Sequence, residues 1–282
     1  MSTAAPEWAD WALRQPQQSH FTESAGVRLH YASWNAADTG KAVLLFAHGF
    51  LGNSHWWDFI APFFTDRFRV FALDFSGMGD SDHREAYEIT TFADDIAAVL
   101  RATGTAPATV VGHSFGGSRL LQACALTPAL FAHAIVLDSY VLMQGESPPQ
   151  VERRPAPRPY PDEATALTRF RLLPEQPCDS WSFDHLARHS LRQSDAGWIW
   201  TFDPKLRSLS SLVGDERALR SIAVPVSYVH AESSSVVGAE RASRIVAEIP
   251  GARGPITMPR THHHLMLDQP LALVGVLRAL LA

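Results

Sequence analysis

A serine set among glycines, Gly112-His113-Ser114-Phe115-Gly116-Gly117, is the grouping in this chain best suited to covalent chemistry. It follows the apolar run Ala108-Thr109-Val110-Val111 and leads into Ser118-Arg119-Leu120-Leu121-Gln122-Ala123, which reads as a helix. A strand, a serine in G-x-S-x-G spacing and then a helix describe a turn so sharp that the serine is pushed into strained dihedrals. Side chains at Gly112 and Gly116 would collide with neighbouring backbone there. The Ser114 hydroxyl then stands clear of the sheet at the positive end of a helix, where developing negative charge is stabilised. A serine hydroxyl is a poor nucleophile at neutral pH, so it needs an adjacent base, and the base needs an orienting acid.

The base is sought near the C-terminal end, where the chain reads Thr261-His262-His263-His264-Leu265-Met266-Leu267-Asp268-Gln269-Pro270. Three consecutive histidines also invite a metal reading. Neighbours in an extended loop point in different directions, however, and no H-E-x-x-H or Cys/His spacing accompanies them, so neither a metal nor a cofactor is expected.

With these features the sequence resembles the α/β-hydrolase superfamily, whose order is serine, acid, histidine. The resemblance covers Val27 to Asp138 and Val224 to Leu281. It implies an α/β fold: a mostly parallel eight-stranded sheet flanked by helices, with an inserted helical cap. Family members carry the base in a motif like H-x-x-x-x-(D/E)-x-P, which here falls on His263, Asp268 and Pro270, with His262 and His264 as competitors. In much of the superfamily the acid follows the seventh core strand in a G-x-x-D-like turn. The equivalent segment is His230-Ala231-Glu232-Ser233-Ser234, and Ser234 occupies the aspartate position. A second family solution places the acid after the sixth strand, where this chain offers Asp138, at the active-site edge of an open sheet. Asp138 is the expected acid, in the manner of a serine esterase or lactonase subgroup, and Glu232 is the alternative. The oxyanion hole needs two backbone N–H donors. Phe115, after the serine, would supply one. Phe50, in the H-G-x-like loop Ala47-His48-Gly49-Phe50, would supply the other, with His48 as a buried buttress. The turn Asp74-Phe75-Ser76-Gly77-Met78-Gly79-Asp80-Ser81 matches a D-x-x-G-x-G-x-S family turn and reads as structural, because no G-K-[ST] follows it.

The elements that must hold these groups come from alternating short apolar runs and longer amphipathic stretches, the pattern of a parallel sheet with crossover helices. Strands are expected at Val27–Trp34, Val43–Ala47, Val70–Leu73, Thr109–Gly112, Ala134–Leu137, Val226–His230 and Gly254–Met258. Helices are expected at His55–Thr65, Thr90–Ala102, Phe115–Leu126, Ala239–Glu248 and Leu271–Leu281. The alternation fails between about Met143 and Leu212, which reads as a cap (143–212) inserted in a core formed by 1–142 and 213–282. Aromatic residues near the expected pocket, Trp56, Trp57, Tyr140, Trp181, Trp198 and Trp200, are candidates for substrate binding, with core packing as the competing role. Arg153, Arg154 and Arg158 could meet an anionic tail or form a solvated stretch.

The 282 residues carry 24 Lys plus Arg against 29 Asp plus Glu, a formal charge of −5, which disfavours nucleic acid and electrostatic membrane docking. Hydrophobic residues make up 46%, enough for a large core. Two cysteines and a start without a basic n-region or apolar h-region suggest a reducing, cytoplasmic setting. A small molecule is the expected partner. Trp8 and Trp11 would anchor the N-terminal arm to the body or to a second subunit, so a homodimer stays open.

The leading expectation is a hydrolase of a small carboxylic ester, lactone or thioester working through an acyl-enzyme. Carbon–carbon bond hydrolysis, cofactor-free perhydrolysis and a ligand receptor with a slow triad are the alternatives. Epoxide hydrolase and dehalogenase are disfavoured, since related enzymes of those types place aspartate where this chain has Ser114.

Overall fold

Strand Ala42–Ala47 shows why the apolar runs are nearly continuous. Val43, Leu45 and Ala47 enter one buried layer while Leu44 and Phe46 enter the other, so both faces of the strand are covered. Each fully buried aliphatic side chain contributes about 1.5–3 kcal/mol, and the alternation repeats along the central strands. The computed structural model describes residues 4–143, 145–146, 157–208 and 216–282.

The main sheet has eight strands: β1 (Gln18–Ser24), β2 (Val27–Ser33), β3 (Ala42–Ala47), β4 (Phe68–Leu73), β5 (Ala108–His113), β6 (Phe131–Leu137), β9 (Val226–Ala231) and β10 (Arg253–Met258). A separate hairpin, β7 (Leu191–Ser194) and β8 (Gly197–Trp200), precedes β9 in the chain. The sheet order is β1-β2-β4-β3-β5-β6-β9-β10. β1 and β2 are antiparallel, as are β2 and β4, and the other pairs are parallel. Helices α1 (Glu7–Leu13), α2 (Thr91–Ala102), α3 (Phe115–Leu126), α7 (Ala239–Glu248) and α9 (Pro270–Leu280) belong to the layers around it. Between β6 and β9 lie α4 (Glu163–Leu167), α5 (Ser180–His189), the β7–β8 hairpin and α6 (Glu216–Arg220); α8 (Leu265–Asp268) follows β10. The fold is therefore the expected mostly parallel eight-stranded α/β sheet.

Three departures from the sequence reading have local causes. The stretch expected as one helix from His55 to Thr65 is two 3-10 segments, Ser54–Trp57 and Ala61–Phe64, the second carrying Pro62. β1 went unrecognised because its polar sequence QSHFTES lies on the sheet edge and is exposed at alternate positions. The tryptophan-bearing stretch of the insertion is not all helix: Leu191–Ser194 and Gly197–Trp200 form a two-stranded hairpin around Gly197, whose φ is +120°. The expected junction at 212/213 lies outside the described residues, as do Arg153 and Arg154. Among the described residues no helix is long and apolar enough to cross a membrane.

Candidate active site

The C-terminal ends of β3, β5, β6 and β10 open onto one edge of the sheet, and each delivers one part of the site. Ser114 follows β5 directly and has φ +51° and ψ −116°, a strained conformation of the kind that costs about 1–3 kcal/mol. Gly112 and Gly116 make that turn possible. A Cβ on Gly112 would come within 2.7 Å of the Gly116 carbonyl oxygen, and one on Gly116 would sit 2.5 Å from the His48 carbonyl oxygen. The turn is thus packed against the loop after β3. Asp138, next after β6, also has positive φ (+45°) and is fully buried.

The three groups meet. His263 Nδ1 lies 2.7 Å from Asp138 Oδ2, and His263 Nε2 lies 2.8 Å from Ser114 Oγ. A carboxylate only accepts, so Nδ1 donates to it; Nε2 is then the lone pair that accepts the Ser114 hydroxyl. Asp138 takes two more hydrogen bonds, from Ser234 Oγ (2.5 Å) and the Ala231 N–H (3.0 Å). Ser234, at the position where a G-x-x-D turn has its acid, therefore holds the carboxylate that comes from β6. The sequence flagged Ser234 only as a missing acid. Glu232, the alternative acid, is exposed, and its Oε2 accepts the Arg260 N–H at 2.8 Å. No contact with His263 is formed.

The histidine run divides three ways. His262 is 43% exposed, and its backbone N–H and Nδ1 both face Asp268 Oδ2. His264 is buried against Trp56, with ring centroids 5.1 Å apart, and its Nε2 donates to the Pro174 carbonyl. Burial first, and then the neighbouring His263, pushes His264 down to about 3. His113, the last residue of β5, donates from Nε2 to the His263 carbonyl in the histidine loop (2.8 Å); burial and the adjacent imidazoles hold it well below the usual histidine range. His113 occupies the variable position of G-x-S-x-G, so the motif carries no signal for it.

The loop after β3 is set by His48 and Asp74. His48 is fully buried; the Phe75 N–H donates to its Nε2 and its Nδ1 donates to the Gly49 carbonyl, which is the buttressing role expected of it. Asp74 accepts the Ser54 N–H, the Asp80 N–H and His30 Nδ1, tying the loop after β3 and the turn after β4 to strand β2. Phe115 begins α3, so its N–H has no helical carbonyl four residues back. Its ring lies 5.5 Å from that of Phe50.

A cavity of about 490 Å³ opens above Ser114. Its apolar wall comes from Leu51, Trp56, Tyr160, Phe170, Leu172, Trp200 and Phe202, and Arg169, Arg171 and Arg207 supply cations. Of the aromatic candidates, Trp56 and Trp200 reach this cavity and four others do not. Trp57 is wholly buried against Phe46, because consecutive residues in a 3-10 segment point about 120° apart. Tyr140 stacks beneath the Arg241 guanidinium (4.4 Å). Trp181 packs between Trp8 (5.8 Å) and Phe59 (5.4 Å), which anchors the N-terminal helix to the body. Trp198, two residues before Trp200 in β8, pairs with Tyr160 through backbone hydrogen bonds and does not line the cavity. Arg158 lies at a smaller neighbouring cavity. Composition alone singled out none of the three cavity arginines.

The alpha/beta hydrolase family matches residues 44–276. The chain belongs to that family. Among its relatives, an esterase of Mycobacterium tuberculosis is 24% identical over 84% of this chain and 82% of that protein. The 2-(acetamidomethylene)succinate hydrolase of Mesorhizobium japonicum is 28% identical over 87% of this chain and 90% of that protein. Epoxide hydrolase 4 of Mus musculus is 31% identical, but over 43% of this chain and only 36% of that protein. The solved structure of an E-2-(acetamidomethylene)succinate hydrolase superposes with a TM-score of 0.80 at 23% identity, covering 94% of this chain and 98% of the other, which speaks to the fold. Relatives within the alpha/beta hydrolase family that are themselves esterases and hydrolases support a hydrolase activity here.

Proposed function

We propose that the chain is a serine hydrolase that cleaves a small carboxylic ester, lactone or thioester. The observation that carries this is the continuous relay Asp138–His263–Ser114, with contacts of 2.7 and 2.8 Å, ending under an apolar cavity. In this reading Ser114 Oγ attacks the substrate carbonyl and His263 Nε2 takes its proton. Asp138 keeps the imidazole in the tautomer whose lone pair faces the serine and stabilises the imidazolium as it forms. The Phe50 and Phe115 N–H groups bind the oxyanion, aided by the positive end of α3. His263 then protonates the leaving alcohol or thiol, and a water activated by the same ring hydrolyses the acyl-enzyme.

The insertion read from the sequence as 143–212 serves as a cap in this reading, since described residues within it line the cavity. Leu172, Trp200 and Phe202 favour an apolar acyl or alcohol group, and Arg169, Arg171 and Arg207 favour a substrate with a carboxylate near its far end. Cys124 and Cys178 are free thiols, consistent with a cytoplasmic protein.

The test is turnover of p-nitrophenyl butyrate and of a matched lactone and thioester, with a fluorophosphonate probe to trap the nucleophile. Ser114→Ala should abolish turnover and labelling while melting like the parent. Retained steady-state activity in that variant would refute the reading, and a single acylation event without turnover in the parent would favour a receptor.

A further inference from the structure

A second cluster of titratable groups lies apart from the serine, where α5 crosses the 3-10 segment Ser54–Trp57. His55, Asp58, His185 and His189 each offer one ligand atom, and these four atoms lie within 4.8 Å of one another. Two contacts converge on a single carboxylate oxygen: His55 Nδ1 at 2.7 Å and His185 Nε2 at 3.0 Å from Asp58 Oδ2. The rings of His189 and His55 are 4.0 Å apart by centroid, and those of His189 and His185 are 4.3 Å apart.

We propose that His55, Asp58, His185 and His189 form a tetrahedral binding site for a divalent transition ion of the zinc class, one that clasps α5 to the loop after β3. Three imidazole nitrogens and one carboxylate oxygen are a donor set suited to such an ion. Metal–ligand bonds of about 2.0–2.1 Å set ligand–ligand edges near 3.3 Å. The two short contacts therefore open by a few tenths of an ångström, and the longer separations close onto the ion. The hydrogens now directed at Asp58 Oδ2 leave those ring nitrogens, moving to the other nitrogen of each ring or to water.

Outer partners already hold two of the four ligands. Gln17 Nε2 donates to Asp58 Oδ1 (3.0 Å), leaving Oδ2 for the ion. His189 donates from Nδ1 to the His185 carbonyl (2.8 Å), which fixes its tautomer and leaves Nε2 to coordinate. The framework is anchored without the ion: His185 and His189 stand one turn apart on α5, and Asn53 donates to the His189 carbonyl (2.9 Å) across the same junction. The adjoining residues Trp56 and Ser190 line the cavity above Ser114. An ion here would brace that wall from behind without entering the relay.

The test reads metal binding rather than turnover. Full-length protein stripped with a chelator is titrated with zinc chloride by calorimetry and, separately, with cobalt chloride followed by visible absorption. The expected result is one equivalent bound, the intense d–d bands of four-coordinate cobalt, and a higher Tm with zinc. His189→Gln and, independently, His55→Gln should each raise the zinc Kd by roughly a hundredfold or more, since even outer partners of a metal site are worth about 10–100-fold. His263→Gln should leave binding unchanged. Overturning results are no binding by the parent, only the weak spectrum of six-coordinate cobalt, or binding that survives both variants and vanishes in His263→Gln. The last would put the ion on the other imidazole cluster, His113, His263 and His264. If either variant fails to fold, a four-coordinate cobalt spectrum that persists in His263→Gln still assigns the ion away from the other imidazole cluster, and its loss there overturns the proposal.

Discussion

Replacing Asp138 by asparagine changes one atom and should reverse the direction of the relay. The carboxylate is fully buried and accepts three hydrogen bonds, from His263 Nδ1, Ser234 Oγ and the Ala231 N–H. Asparagine keeps one acceptor oxygen, which can retain the Ala231 N–H, and turns an NH2 toward His263. To accept from that NH2, Nδ1 must lose its hydrogen, so the hydrogen moves to Nε2. Nε2 is 2.8 Å from Ser114 Oγ, and an N–H there cannot take the serine proton. If the only loss were one hydrogen bond to a charged group, the cost would be about 1.5–3 kcal/mol, or roughly 10–150-fold. Loss of the basic tautomer is larger, about ten-thousandfold in kcat, or some 5.4 kcal/mol. The assay is kcat/KM for p-nitrophenyl butyrate in Asp138→Asn and Glu232→Gln, with Tm measured on both and the His263 tautomer read by nitrogen NMR. Glu232→Gln should stay within about twofold, because its carboxylate serves only the exposed Arg260 turn. The reasoning fails if Asp138→Asn keeps more than a tenth of the parent rate, or if Glu232→Gln is the variant that loses it.

Gly116→Ala should destabilise the protein by about 3 kcal/mol or more in urea melts, because its Cβ would press on the carbonyl oxygens of Ala47 and His48, which are backbone and cannot rotate away. Stability should fall on acidification below about pH 6.5: His264 and His113 stay neutral in the fold and protonate in the unfolded chain, so the unfolded state binds more protons. With His264 at about 3, this residue alone accounts for about 2 kcal/mol between pH 7 and pH 5, and His264→Gln should flatten the Tm–pH curve over that interval. Trp181→Ala should cost about 2–4 kcal/mol of stability and leave KM nearly unchanged, since the ring packs between Trp8 and Phe59. Trp200→Ala should do the opposite and raise KM for esters with apolar chains, as steady-state kinetics will show.

The local motifs were legible because each expresses a short-range physical demand. The glycines around Ser114 answer to a turn that admits no side chain, and the runs forming β3, β5 and β6 answer to burial on both faces. Phe115–Leu126 and Ala239–Glu248 emerged with the expected bounds because helical periodicity is encoded within a few residues. The 3-10 segments after β3 and the β7–β8 hairpin were not legible, since tertiary packing outweighed weak local preferences there.

What the chain by itself determined was the presence of a serine turn, a histidine loop and a carboxylate at a strand end, together with the sheet that carries them. Which histidine of three adjacent ones meets Ser114, and which of two carboxylates meets that histidine, depends on β6, β9 and β10 lying side by side. Contact at 2.7 Å depends on the relative placement of strands far apart in sequence, and no local pattern contains that information. The same holds for Ser234 behind Asp138, for the arginines at the cavity, and for the imidazoles that α5 brings to Asp58. Each pairing joins distant segments, and only packing brings such segments together.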